Sequence, residues 1–254
     1  MEKKDYIAVF DSGVGGISVL RHLRQRLPRE RFVYFGDTAN APYGSRTTAE
    51  VRALTLAAAQ RLLSEYPVKA LVVACNTATA AAIRELRETY RDLIVIGIEP
   101  ALKLAADQFP GGRIGVMATE VTLREEKFDT LMHRFDTGCT VAKIPAPGLV
   151  ELIESGWGTS EAAEALLRQI LLPYVGKLDA LVLGCTHYPF AAPAISRVLG
   201  ASVALLDGGK GTARETKRRL AAVGLLNEEG AGELLLTASG NAEAFARLAE
   251  TLLP

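Results

Sequence analysis

Two cysteines of this chain stand in matching surroundings. Lys69–Ala82 reads KALVVACNTATAAA and Asp179–Ala192 reads DALVLGCTHYPFAA; at an offset of 110 residues, six of the fourteen positions are identical. In each copy an uncharged run rich in Val and Leu leads to a cysteine followed by two polar residues. Such a run suits a strand buried on both faces of a parallel sheet. Ligands of parallel sheets bind at the carboxyl ends of the strands, so Cys75 and Cys185 should both stand at strand ends. Two equivalent thiols addressing one ligand from opposite sides are what inversion of a stereocentre requires. The helix that follows each cysteine would offer its N-terminus, whose free N–H groups lower a thiol pKa and attract carboxylates. His187, two residues past Cys185, would share its face on a regular strand. His22 and His133 lie in polar helix-like stretches and read as surface residues. Cys139 has no such setting and reads as a small inert hydrophobe.

The remaining candidates have weaker local signals. Asp11-Ser12-Gly13-Val14-Gly15-Gly16 follows an apolar run and opens a helix, with glycines that let the backbone turn and approach a ligand. It matches neither a dinucleotide fingerprint nor a phosphate-binding loop. Asp11 reads equally as a helix cap or as an acid at a strand's carboxyl end. Pro42-Tyr43-Gly44 sits in a polar loop, Asp37–Arg46, where backbone N–H groups could hold a carboxylate. Glu151 stands at a helix start and reads first as a carboxylate complementing the helix dipole.

These residues need a scaffold, and the pattern supplies one. Strand-like runs fall at Ile7–Phe10, Phe32–Phe35, Ala70–Ala74, Leu93–Ile98, Ile114–Met117, Thr140–Ile144, Ala180–Leu183 and Val203–Leu206. Helical stretches at Thr48–Ser64, Ala78–Tyr90, Ser160–Tyr174 and Ala213–Ala222 lie between them. This alternation implies an α/β fold with largely parallel sheets. Ile7–Val14 (IAVFDSGV) and Ile114–Val121 (IGVMATEV) echo one another as the cysteine segments do. The expected architecture is two pseudo-symmetric lobes, each a mostly parallel sheet flanked by helices, with the active site between them. The seam falls near Gly97–Pro100. A final strand, Leu234–Thr237, and helix, Ala242–Leu253, have no counterpart.

The 254 residues carry 29 basic and 29 acidic side chains, so no net charge favours nucleic acid or an anionic membrane. No run is long enough to span a bilayer. Three cysteines without a CxxC pair give no disulfide framework and no zinc pattern. The opening MEKKDYIAVF passes from charges directly into a strand-like run, and a reducing, cytoplasmic location is expected.

Together, DSGVGG at 11–16, PYG at 42–44, CNT at 75–77, Pro147–Glu151 and GCTHYP at 184–189 resemble the glutamate racemases of the aspartate/glutamate racemase superfamily in order and spacing. The likeness covers nearly the whole chain. It implies interconversion of L- and D-glutamate for peptidoglycan by two thiols, without cofactor or metal, in a homodimer. It implies that the C-terminal segment returns to the first lobe, giving domains 1–97 plus 208–254 and 98–207. By this likeness Cys75 acts on D-glutamate and Cys185 on L-glutamate. Asp11 and His187 assist them, and Glu151 is accessory. Ser12, Pro42, Tyr43, Gly44, Asn76, Thr77, Thr119 and Thr186 hold the substrate, with Asp11 and His187. The chain departs from the family's habit at Ala118-Thr119 (usually Gly-Thr), Cys139-Thr140 (often Cys-Pro) and Asp207-Gly208-Gly209 (usually Asp-Ser-Gly).

The chemistry agrees. An α-proton is weakly acidic, and inverting its centre needs a base on one face and an acid on the other. A pyridoxal enzyme would need a Schiff-base lysine, and Lys103, Lys143, Lys177 and Lys210 lie outside the cysteine setting. The alternatives are an aspartate racemase, a cysteine hydrolase using Cys185 and His187, and a two-lobed amino-acid binding protein. The hydrolase leaves one thiol without a role, and the binding protein leaves both.

Overall fold

The computed structural model describes residues 1–124 and 138–253. His133 lies outside them. The chain divides into two compact units, one of residues 1–99 with those from 209 onward, the other of residues 100–208. None of the described helices is long and apolar enough to cross a membrane.

The first unit carries β1 (Tyr6–Asp11), β2 (Arg31–Gly36), β3 (Val68–Val73), β4 (Ile94–Gly97) and β9 (Glu233–Ala238). They form one sheet in the order β4-β3-β1-β2-β9, and every pairing is parallel. The second unit carries β5 (Arg113–Ala118), β6 (Thr140–Pro145), β7 (Ala180–Leu183) and β8 (Ala204–Asp207), all parallel, in the order β6-β5-β7-β8. Reading the second sheet backwards gives β8-β7-β5-β6. Strand for strand this repeats β4-β3-β1-β2 of the first, so the internal echoes of the sequence correspond to a repeated topology. β9 is the strand without a counterpart, added at the edge beside β2.

Parallel sheets are covered on both faces, which is why their strands are uninterrupted apolar runs. β1 and β3 are buried at all six positions. Flanking the first sheet are α1 (Ile17–Arg26), α2 (Thr48–Glu65), α3 (Asn76–Thr89), α9 (Gly209–Ala222) and α10 (Ala242–Leu252). The second has α4 (Leu102–Gln108), α5 (Glu120–Arg124), α6 (Leu149–Glu154), α7 (Glu161–Leu171) and α8 (Ala192–Leu199). Their starts follow capping chemistry. Thr47 and Glu50 form a reciprocal capping box on α2, while Ser160 and Asn241 cap α7 and α10. The second unit's interior splits by sheet face, with Leu149, Leu167, Leu181 and Tyr188 on one side and Leu102, Ile114, Val116 and Val182 on the other.

At the amino ends of the first sheet lies a charge pair sealed from solvent. Lys69 and Glu30 are 0 % and 1 % exposed, with Nζ and Oε2 2.5 Å apart. Lys69 also donates to the carbonyls of Lys3 and Leu225, and Glu30 accepts from the Asn227 amide at 2.9 Å. The pair therefore ties the segment between α9 and β9 to the amino ends of β1 and β3. Removing one partner leaves the other's charge buried and uncompensated. Lys69→Ala is expected to cost about 3–5 kcal/mol, read as a lower midpoint of chemical denaturation.

Candidate active site

The functional candidates gather at the carboxyl ends of the strands in each unit. Asp11 ends β1 and faces Gly36 across the β1–β2 ladder. It does not cap α1, whose N-cap is Gly16 without a side-chain bond. Its Oδ1 instead accepts the Gly13 N–H at 2.9 Å, fixing the glycine turn. The turn is pressed from behind. Tyr34 donates its hydroxyl to the Gly13 carbonyl at 2.8 Å. A Cβ on Gly16 would stand 2.7 Å from the Asp11 Cβ and 2.8 Å from the Tyr34 hydroxyl, so no larger residue fits. Asp11 and Ser12 are 0 % and 5 % exposed.

Cys75 comes two residues after β3. It is itself the N-cap of α3, and its Sγ accepts the Ala78 N–H at 3.4 Å. The Ser12 hydroxyl lies 3.7 Å from the same sulfur. A helix N-terminus favours the thiolate. Asn76 and Thr77, buried in the first turn, carry further polar atoms at this point. Asn76 Oδ1 is buried with no hydrogen-bond partner among the described residues. A buried carbonyl oxygen of this kind calls for a donor, and a ligand ammonium would be one.

The loop after β2 contains a cis Ala41–Pro42 bond and a short 3-10 turn at Tyr43–Ser45. Tyr43 is buried and donates its hydroxyl to Asp37 Oδ2 at 2.6 Å. Burial, and next the bond to Asp37, push the Tyr43 phenol far above its usual range, so it remains a donor. Sequence reasoning passed over Asp37, because an Asp-Thr-Ala-Asn run before a proline reads as an ordinary turn. Asp37 is 4 % exposed and also accepts from Asn40 and Ser239.

In the second unit Cys185 again comes two residues after its strand, β7. The expected helix N-terminus is absent here. Tyr188–Ala191 forms a 3-10 turn with Pro189 near its start, and α8 begins only at Ala192. Proline has no N–H to offer, so the surroundings of this thiol are made by side chains instead. His187 is past the strand and helical in backbone, yet its Nδ1 lies 3.6 Å from Cys185 Sγ. Its Nε2 meets Glu154 Oε1 at 2.5 Å. Cys185, His187 and Glu154 thus form a line along which a proton can pass. Glu151, the expected accessory acid, is exposed in the first turn of α6, and the carboxylate that reaches His187 is Glu154, one turn later. Gly148 precedes α6 at φ +82°, a conformation glycine adopts without strain, and directs the chain into this helix. The sequence held a signal, since Glu151 and Glu154 are three apart and near neighbours on a helix. Only the structure distinguishes them.

Thr186 is buried beside Cys185. Thr119 follows β5, and its hydroxyl meets that of Thr122 at 3.0 Å and accepts the Thr122 N–H. Cys139 is half-buried, with its thiol 3.4 Å from the Phe109 carbonyl. His22 is half-buried rather than exposed. Among the described residues no group of three or more His, Cys, Asp or Glu is placed to hold a metal ion.

Known proteins share the sequence and the fold of this chain. The sequence model of the Asp/Glu/Hydantoin racemase family matches residues 15–216. The glutamate racemase of Clostridium botulinum is 43% identical over 256 residues, covering 100% of this chain and 99% of that protein. The crystal structure of glutamate racemase from Thermus thermophilus in complex with β-chloro-D-alanine superposes with a TM-score of 0.85 at 42% identity, covering 99% and 94% of the two chains. That of the Francisella tularensis glutamate racemase in complex with D-glutamate does so with a TM-score of 0.87 at 28% identity, covering 99% and 94%.

The His187 environment has a consequence for stability. Burial is the largest single influence and acts against the ring's cation. Hydrogen bonds to Cys185 and Glu154, with the negative charge either group can carry, outweigh it and hold His187 well above its ordinary value of 6.5. A group that keeps its proton longer in the fold stabilises fully below its unfolded pKa, and this is lost as pH rises through the folded one. Glu154→Gln should therefore lower Tm most at about pH 6, below the unfolded pKa, with the deficit shrinking as pH rises through the raised folded pKa, as followed by thermal melts over a pH series. A pH-independent deficit would contradict the charged pairing.

Proposed function

The chain belongs to the Asp/Glu/hydantoin racemase family and is an amino-acid racemase, an isomerase, and we propose that it interconverts L- and D-glutamate by proton transfer between Cys75 and Cys185. One observation carries the reading: the two thiols occupy equivalent positions, two residues past β3 and β7, in units of the same strand order. One thiol begins as thiolate and takes the α-proton from one face of the substrate. The other begins as thiol and delivers a proton to the opposite face. After turnover the roles are exchanged, so the reverse reaction starts from the state the forward one leaves. No cofactor enters.

Each carrier has its own helpers. The N-terminus of α3 and the Ser12 hydroxyl attend Cys75, with Asp11 as the nearby acid. His187 attends Cys185, and Glu154 takes the accessory place first assigned to Glu151. Asn76 Oδ1 accepts from the substrate ammonium, which would satisfy an otherwise unpartnered buried oxygen. Thr77, Thr119 and Thr186 hold the α-carboxylate. Ser12 and the backbone N–H groups of Tyr43 and Gly44, set by Pro42 before them, hold the side-chain carboxylate. Cytoplasmic D-glutamate for peptidoglycan is the product's use, and the enzyme works as a homodimer; the likeness to glutamate racemases supports both.

The Cys185–His187–Glu154 line also fits a cysteine hydrolase, with thiol, base and orienting acid in order. That reading leaves Cys75, its helix cap and the repeated topology unexplained.

Incubation with L-glutamate in heavy water separates the two, with optical rotation and α-deuteration followed together. Racemisation with solvent deuterium at the α-carbon is expected. Cys75→Ala and Cys185→Ala should each reduce it by about 10²–10⁴-fold or more, since each removes one proton carrier. Cys139→Ala should leave turnover unchanged. Near-normal racemisation by either of the first two variants would exclude the two-thiol mechanism.

Substrate preference is tested separately. Glutamine, which lacks the second carboxylate, should react more slowly by roughly two to four powers of ten, the loss of two charge-assisted contacts. Aspartate turned over as well as glutamate would move the assignment to an aspartate racemase.

A further inference from the structure

The family match ends at residue 216, yet the chain returns to the first sheet beyond it with β9 and α10. This return segment reaches the loop assigned above to the side-chain carboxylate. Ser239, the first residue after β9, donates its hydroxyl to Asp37 Oδ1 at 2.6 Å and accepts the Ala39 N–H at 3.0 Å. Its own N–H bonds the Gly36 carbonyl at 3.1 Å. The next residue, Gly240, bonds the Thr38 hydroxyl through its N–H at 3.2 Å. Asp37 passes the connection on: its Oδ2 accepts the buried Tyr43 hydroxyl at 2.6 Å, and Asn40 Nδ2 donates to both oxygens. The carboxylate therefore gathers three side-chain donors, Asn40 and Tyr43 from its own loop and Ser239 from the return segment. From α10, Phe245 stacks on Tyr34 with ring centroids 5.7 Å apart, behind the hydroxyl that holds Gly13.

We propose that Ser239 is a positioning residue for substrate binding, acting through Asp37 and the Tyr43 hydroxyl to set the Pro42-Tyr43-Gly44 segment against the side-chain carboxylate of glutamate. The inference rests on the racemase reading. Ser239 does not touch substrate. A carboxylate at 4 % exposure needs its donors, and with Ser239 removed it is left short of one. Asp37 then draws in water or a neighbouring group, and the Tyr43 anchor shifts with it. The effect falls on binding in ground state and transition state alike, because the Tyr43 loop holds a part of the substrate that does not change during proton transfer.

The experiment is steady-state racemisation of L- and D-glutamate by the full chain, its Ser239→Ala and Ser239→Thr variants and Asp37→Asn, with Tm recorded for each. Ser239→Ala should raise KM about ten- to a hundredfold in both directions and keep kcat within about twofold, the pattern of lost uniform binding. Ser239→Thr, which keeps the hydroxyl, should restore KM. Asp37→Asn should raise KM in the same manner. Parental KM in Ser239→Ala overturns the inference and leaves the racemase intact. A lowered Tm with kcat and KM both degraded and no rescue by threonine also overturns it, marking a purely structural residue. A parent chain that leaves glutamate untouched overturns the racemase reading, and with it the substrate named here.

Discussion

All strands of each sheet run in one direction, and both faces of each sheet are covered. That constraint governs where chemistry can occur. Hydrogen-bonding side chains placed along such strands would be buried without water, at the cost of their desolvation. They belong instead at the rim, where the strands end and turns begin. Asp11, Asp37, Cys75, Thr119 and Cys185 all stand within two residues of a strand's carboxyl end. Lys69 is a charged side chain buried within a strand, and it requires Glu30 and two backbone carbonyls to be there. The rim also explains why successive short motifs in the sequence fall at one end of each unit. Every crossover returns the chain to the amino edge and delivers the next turn to the carboxyl edge.

The two thiols share a position without sharing an environment. Cys75 is served by backbone, as the cap of a fourteen-residue helix. Cys185 is served by side chains, through a histidine held by a carboxylate. In the proposed mechanism each thiol alternates between acid and base, so each must be stabilised in both protonation states. The duplicated strands supply the equivalence of position, and the divergent turns give each thiol its own surroundings.

What could be read from the sequence followed this division. Strands buried on both faces are continuous apolar runs, and Ala180–Leu183 appears in the structure with the bounds assigned to it from the sequence alone. β9 was also visible, although what it pairs with was not shown by its own pattern: the partner strand β2 lies some two hundred residues earlier. Turns carried less information. A cysteine followed by Asn-Thr-Ala reads as a helix start and is one. The same reading at Cys185 failed because Pro189 and Pro193 delay the helix. Glu154 was missed because two glutamates on one short helix differ only in which turn meets the histidine. Asp37 was missed because its partners, Tyr43 and Ser239, are brought together by the fold and not by adjacency.

The insertion of one unit within the other sets an order of events during synthesis. Domains generally fold as units as the chain emerges. Residues 100–208 are complete while the first unit still lacks its edge strand. Until residues 225–239 are made, Lys69 lacks its Leu225 carbonyl, β2 has an open edge and Asp37 lacks Ser239. A nascent chain can therefore present a finished Cys185 site long before a finished Cys75 site. The unit that starts first finishes last, and a ribosome-bound intermediate holds one thiol in its completed unit before the other.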